Sequence, residues 1–173
     1  MRLSITPLSL LACAGLVACQ TLPPPAGLTV PLQPRSGSQV RGSVHLTPTS
    51  DGLRVQAEIE GLQPLAEHGF HVHERGDCSA PDASSAGGHF NPHGAPHGQA
   101  GVLGQAHHAG DMPNVRADSA GRARYSSTLA GLTLDGPNGV RGRSVVVHRD
   151  ADDYRSQPAG NSGPRIACAV IPQ

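Results

Sequence analysis

From Val40 to Ile171, apolar and polar side chains alternate in short runs, the pattern of extended strands that bury one face. Val40 to Thr47 and Leu53 to Ile59 alternate on either side of Ser50-Asp51-Gly52, which predicts a hairpin. Glu67 to Glu74 predicts a third strand. Val115 to Asp118, Arg122 to Leu129, Arg143 to Arg149 and Arg165 to Ile171 predict later ones, divided by turn sequences such as Asp118-Ser119-Ala120-Gly121 and Asp135-Gly136-Pro137-Asn138-Gly139. Two stretches stand outside this pattern: Arg75 to Asn114, dense in Gly, Pro, His and Ser, and the polar segment Asp150 to Pro164. The first, at about forty residues, is far longer than an unsupported loop in a compact domain, so a metal, a disulfide or both must hold it. The expectation is an all-β domain with two long loops.

Upstream the pattern changes. Residues 1–19 open with Met1-Arg2 and continue as an apolar run, of a length that suits an export signal rather than a membrane span. Leu16-Val17-Ala18-Cys19 resembles a bacterial lipobox, which implies cleavage before Cys19 and lipid attachment there; a plain secretory signal is the alternative. Leu10-Leu11-Ala12-Cys13 fits the same pattern but would leave too short an apolar region. With Gln20 rather than Asp after the cysteine, sorting to the outer membrane is expected, placing the protein in the periplasm or cell envelope with its membrane contact through the lipid. Residues 20–34 hold five prolines and no periodicity, so they read as a stiff linker, with the domain occupying 35–173.

Composition narrows the function. The chain of 173 residues has 13 basic and 13 acidic side chains and no net charge, which gives no broad surface for nucleic acid. All the basic residues are arginine. With 2 Phe, 2 Tyr and no Trp, the core must be built from Val, Leu, Ile and Ala, and 22 Gly with 16 Pro favour short strands and many turns. If Cys13 leaves with the signal and Cys19 is acylated, Cys78 and Cys168 remain to pair in an oxidising compartment.

Eight of the 10 histidines lie between His68 and His108, and His148 ends the apolar run Val145-Val146-Val147. In an extended Phe70-His71-Val72-His73, the apolar pair points inward and the two imidazoles share the opposite face. Neutral imidazole is the commonest ligand for zinc and copper, so the clustering indicates a metal site. Within the long loop, His89, His97, His107-His108 and Asp111 offer a tetrahedral zinc set, with His93 and His107 equally available on local chemistry.

Taken together, five segments resemble the copper,zinc superoxide dismutases, in particular their exported bacterial branch. They are Gly-Phe-His-Val-His-Glu-x-Gly-Asp-Cys at 69–78, Ala-Gly-Gly-His-Phe-Asn-Pro at 86–92, His-x-x-Asp at 108–111, Val-Val-His at 146–148 and Gly-Asn-Ser-Gly-Pro-Arg-Ile-Ala-Cys at 160–168. The resemblance implies an eight-stranded, sandwich-like Greek-key β-barrel whose two long loops form the metal site. It implies copper held by His71, His73, His89 and His148, zinc held by His89, His97, His108 and Asp111, and His89 bridging the two. By the same likeness Asp152 orients one ligand of each metal, Cys78 pairs with Cys168, and Arg165 sits over the copper, with Arg165 and His89 catalytic and superoxide the substrate. A surface-anchored copper- and zinc-binding protein without turnover, on the same fold, is the alternative, and monomer and homodimer are both open. Two departures stand out: the spacing from His97 to His108 is slightly longer than in the family, and the segment from His148 to Arg165 is shorter than in eukaryotic relatives and lacks their lysine.

Overall fold

The computed structural model describes Met1 and residues 27–173; the signal, the lipobox with Cys19 and the first part of the linker lie outside the described residues. Among the described residues nine strand segments form: β1 (Leu28–Pro34), β2 (Arg41–Thr49), β3 (Gly52–Glu60), β4 (Glu67–His68), β5 (Phe70–His73), β6 (Val115–Arg116), β7 (Ala123–Leu129), β8 (Ser144–His148) and β9 (Arg165–Val170). A single 3-10 turn at Ser84–Ala86 is the helical element among the described residues. β4 and β5 are one run broken at Gly69, because β4 pairs with β6 while β5 pairs with β8. The nine segments therefore follow eight strand courses.

Seven strands form one curled antiparallel sheet in the order β5-β8-β9-β1-β2-β3-β7, and the β4-β6 ribbon lies between its two edges, continuous with β5 and beside β7. Alternation produces this architecture directly. In β3 every second residue is buried, so Leu53, Val55, Ala57 and Ile59 enter the core. The β2–β3 hairpin closes on Ser50-Asp51 with Thr49 opposite Gly52. Gly52 has φ +136, and a Cβ there would collide with the Leu129 carbonyl, so the turn requires glycine.

One expectation fails. Residues 28–34, read as part of the linker, are instead β1, which pairs with β2 from Leu28 to Leu32 and with β9 at Gln33 and Pro34. Pro31 misled the reading because proline donates no ladder hydrogen bond. It is tolerated here because β1 is paired on one side only at that position, and Val30 and Leu32 still reach the core.

The main core joins Leu32, Leu46, Val55, Phe70, Val145 and Val147 with their neighbours, and Phe70 meets Tyr125 edge-on at 5.0 Å. Each such aliphatic or aromatic side chain contributes ~1.5 to 3 kcal/mol by leaving water. β8 is buried on both faces: Val145 and Val147 face the main core, while Val146 packs with Ala83, Ala86, Cys78 and Cys168 in a second cluster. The disulfide Cys78–Cys168, with Cα atoms 6.0 Å apart, joins the long loop to β9. Its separation of 90 residues gives a loop-closure effect of up to ~4 to 5 kcal/mol.

Candidate metal centre

β5 is the edge of the large sheet, and the long loop folds back onto that edge. Phe90 N–H donates to Val72 O at 2.8 Å, Val72 N–H to Gly110 O at 2.9 Å and Glu74 N–H to Gly88 O at 2.9 Å. These bonds set His73 opposite His89 and His71 opposite Asp111 as isolated bridges. Backbone pairing thus brings residues more than ten positions apart in sequence to one place. The face that carries His71 and His73 is covered rather than exposed, and all four residues of β5 are buried.

A first cluster contains His71, His73, His89 and His148, one ligand atom from each lying within 4.8 Å of the others. Hydrogen bonds fix which nitrogen each ring presents, because a carbonyl or carboxylate oxygen can only accept. His73 Nδ1–H donates to Gly87 O at 3.0 Å and His148 Nδ1–H to Gly163 O at 3.1 Å, so both rings turn bare Nε2 atoms inward, 3.3 Å apart. His71 Nε2–H donates to Asp152 Oδ2 at 2.8 Å, leaving its buried Nδ1 without a partner.

A second cluster holds His89, His97, His108 and Asp111, again within 4.8 Å. His97 donates from Nε2 to Asp152 Oδ1 at 2.9 Å, which turns its Nδ1 toward Asp111 Oδ2 at 3.1 Å. His108 Nδ1 lies 3.3 Å from Asp111 Oδ1 and 3.4 Å from His89 Nδ1. Asp111 is aimed by backbone donors, since Oδ2 accepts from His108 N–H at 2.8 Å and Gly98 N–H at 3.1 Å. His89 belongs to both groups: Nδ1 is 2.8 Å from Asp111 Oδ1, while Nε2 is buried and unpartnered and the ring stacks on His71 at 3.9 Å.

Burial governs the protonation of these groups. It lowers His71, and lowers His73 and His148 well below 6.5, with neighbouring imidazoles adding to the effect on the latter two. His89 is held down to about 4 by burial, against the pull of Asp111. His97 goes the other way: burial alone would lower it, but contacts with Asp111 and Asp152 outweigh that and raise it to about 9. Burial would raise Asp111 and Asp152, yet their imidazole partners hold both well below the usual carboxylate range. Most of the rings are therefore neutral donors at pH 7 beside two carboxylates.

Arg165 leads β9 opposite His148 and donates to Ala83 O and Gly87 O at 2.6 Å each. Its charge is close enough to disfavour protonation of His73 and His148. A mouth of about 170 Å³ lined by His148, Gln157 and Gly163 opens beside this point. Broader concavities of about 480 and 460 Å³ lie on the outer face of β2, β3 and β7, among Ser43, Glu58 and Arg124, away from the two clusters; His45 is the one imidazole that lines them.

The other histidines stay out. His93 is exposed and His107 is half-buried, its Nδ1 2.7 Å from His108 O. His68 is buried with Nδ1 3.0 Å from His148 O, and His45 bonds Thr29 on the outer face. Sequence reasoning missed Gln157 and Asn114. Gln157 brackets the His97 backbone, accepting from its N–H at 2.8 Å and donating to its carbonyl at 2.9 Å. Asn114 accepts from Asp152 N–H at 2.9 Å and donates to Asp152 O at 3.0 Å. Nothing in one sequence marks either amide.

The profile of the family described as "Copper/zinc superoxide dismutase (SODC)" matches residues 40–171. "Superoxide dismutase [Cu-Zn] 2" of Aquifex aeolicus is 43% identical over 77% of this chain and 80% of its own length. "Superoxide dismutase [Cu-Zn]" of Deinococcus radiodurans is 39% identical over 98% of this chain and 96% of its own. Among solved structures, a superoxide dismutase-like protein from Bacillus subtilis superposes with a TM-score of 0.74 at 34% identity, covering 83% of this chain and 97% of the other. Matching on profile, on sequence over nearly the whole domain, and on fold, this chain belongs to the copper/zinc superoxide dismutase family, whose metals are copper and zinc.

Proposed function

We propose that the protein converts two superoxide anions and two protons to dioxygen and hydrogen peroxide. Copper would be held by His71, His73, His89 and His148, and zinc by His89, His97, His108 and Asp111, with His89 shared. One observation carries the reading: His73 and His148 face each other with bare Nε2 atoms at 3.3 Å, an arrangement that repels unless a cation accepts both lone pairs. The donor sets fit the two ions, four imidazoles suiting copper and three imidazoles with a carboxylate suiting tetrahedral zinc.

Copper held there would supply a one-electron redox couple suited to both half-reactions, while zinc, which does not change charge, would order the loop. The chain supplies the rest. Arg165, pinned by two carbonyls beside His73 and His148, positions a small anion through charge-assisted hydrogen bonds. When not engaged by copper, His89 Nε2 is the atom placed to hold and deliver one of the two protons that peroxide needs, the other coming from water, because its ring is committed through Nδ1 to the second cluster rather than to a carbonyl. Asp152 links the clusters, orienting His71 and His97 at once.

The test is His148→Ala, with zinc loading confirmed. Superoxide consumption falls to the buffer rate if the reading holds; an unchanged rate refutes it. A wild-type protein that takes up both metals yet leaves superoxide untouched would establish the metal-binding alternative. We further propose that Cys19 carries the lipid anchor, supported by the apolar run and lipobox upstream and by a disulfide of the kind that persists in oxidising compartments. The mass of the mature N-terminal peptide tests this.

A further inference from the structure

The loop between His97 and His108 contains a segment that contributes nothing to either cluster. Gly101 to Ala106 is exposed at all six positions, Leu103 fully and Val102 at 38%. Gly101 and Gly104 flank the pair with φ +82 and +78, and no atom approaches within 4 Å of where their Cβ would lie. The left-handed glycines hold the pair outward in open space. From Asn91 to Gly110 there is no Asp, Glu or Arg, and the chain has no lysine.

The position of this tip adds a second, independent observation. The loop lies against β7, sharing a cleft of about 110 Å³ in which Ala100 and Gly101 face Ser127 to Ala130. In the sheet register Leu28 stands opposite Leu46, Leu46 opposite Val55 and Val55 opposite Ser127. The chain therefore enters β1 at the same end of the barrel as the tip. Eight residues, 20–27, separate Cys19 from Leu28, a reach of at most about 30 Å. The other connections at this end carry few charges, and these are mostly engaged: Asp51 stands in the β2–β3 turn, and in the 130–143 segment leading to β8, Asp135 pairs with Arg141 at 2.9 Å and Arg143 donates to Gly139 O at 2.7 Å. β1 then runs ~20 Å to the opposite end, where Ser36 and Arg165 line a second mouth of about 290 Å³ that meets the one at His148 through Gly163.

We propose that Val102 and Leu103 form a lipid-contacting tip that dips into the headgroup and acyl boundary of the membrane tethered through Cys19, orienting the barrel with the Arg165 mouth toward water. This rests on the lipid-anchor reading. Two side chains are far too little for a protein interface, which needs roughly 800 Å² per partner. They suffice for a lipid surface because the tether already holds them at high effective concentration.

The chain has no Trp, so Leu103→Trp places a single indole at the tip, and Leu65→Trp, at an exposed site beyond β3 at the opposite end, serves as control. The lipidated, metal-loaded protein is reconstituted into phosphatidylethanolamine and phosphatidylglycerol vesicles with and without brominated acyl chains. The proposal requires blue-shifted emission and severalfold bromolipid quenching for L103W and neither for L65W. Equal responses, or an unquenched L103W in protein that floats with the vesicles and carries lipid on Cys19 by mass, overturn it. Protein that carries no lipid and does not float overturns the anchor reading and the proposal with it, and the mass distinguishes the two failures.

Discussion

Asp152→Asn is the most informative single change, because one buried carboxylate serves both clusters. Its Oδ2 accepts from His71 Nε2–H at 2.8 Å and its Oδ1 from His97 Nε2–H at 2.9 Å, with all three side chains inaccessible to water. The amide keeps the shape and removes the charge, and it has only one accepting oxygen. Whichever way it turns, one imidazole meets an NH₂ group and must move its proton to Nδ1, the atom that faces the cluster. A charge-assisted bond of this kind contributes ~1.5 to 3 kcal/mol, and loss of such a partner typically weakens metal binding by 10- to 100-fold. At least one of the two metals should therefore bind about 10 to 100 times more weakly, measured by separate chelator competition for copper and zinc on protein whose disulfide is intact. If both affinities stay within about twofold of wild type, Asp152 does not hold the rings, and the tautomer argument built on those bonds is wrong.

Other expectations follow from the same geometry. Gln157→Leu removes both hydrogen bonds that bracket the His97 backbone, so release of zinc to a chelator should accelerate by about tenfold while copper release changes little; equal acceleration of both would contradict a local role. The double change Cys78→Ser with Cys168→Ser should lower stability in urea by about 4 kcal/mol, given the 90-residue closure, and a loss under about 1 kcal/mol would mean that the arginine bonds from Arg35 and Arg165 already fix the loop. The metal-free protein should lose stability as pH falls from 7 toward 4. Unfolded imidazoles take up protons near 6.5 while His71, His73, His89 and His148 resist, so the unfolded state binds more protons; His89, held to about 4, accounts for about 3 kcal/mol. His97, raised to about 9, acts in the opposite sense, adding stability below 6.5 that is lost as pH rises toward 9. Unfolding midpoints that hold steady between pH 7 and 5 would contradict this balance.

Strands whose two faces differ were plain in the sequence. β2, β3 and β7 alternate apolar and polar side chains, and their observed bounds fall close to the expected runs. β1 was hidden by Pro31 and Pro34, because proline argues against a strand unless one edge is free, and the pairing that frees it is tertiary. The division of Glu67 to Glu74 at Gly69 was likewise invisible, since it arises where the chain changes partner from β6 to β8. Among the site residues, alternation alone placed His71 and His73 on one face. Choosing His108 over His107, or excluding His93, needed the motif likeness, because within a forty-residue loop local spacing carries no geometry. The longer interval between His97 and His108 leaves both in the cluster, since the exposed segment at 101–106 takes up the extra length.

Anomalous diffraction at the copper and zinc absorption edges, on crystals of the protein loaded with both metals, locates each ion separately. Two peaks are expected on either side of the His89 ring, copper among His71, His73 and His148, and zinc among His97, His108 and Asp111. A single peak, or copper absent from the His73 and His148 pair, would contradict this placement.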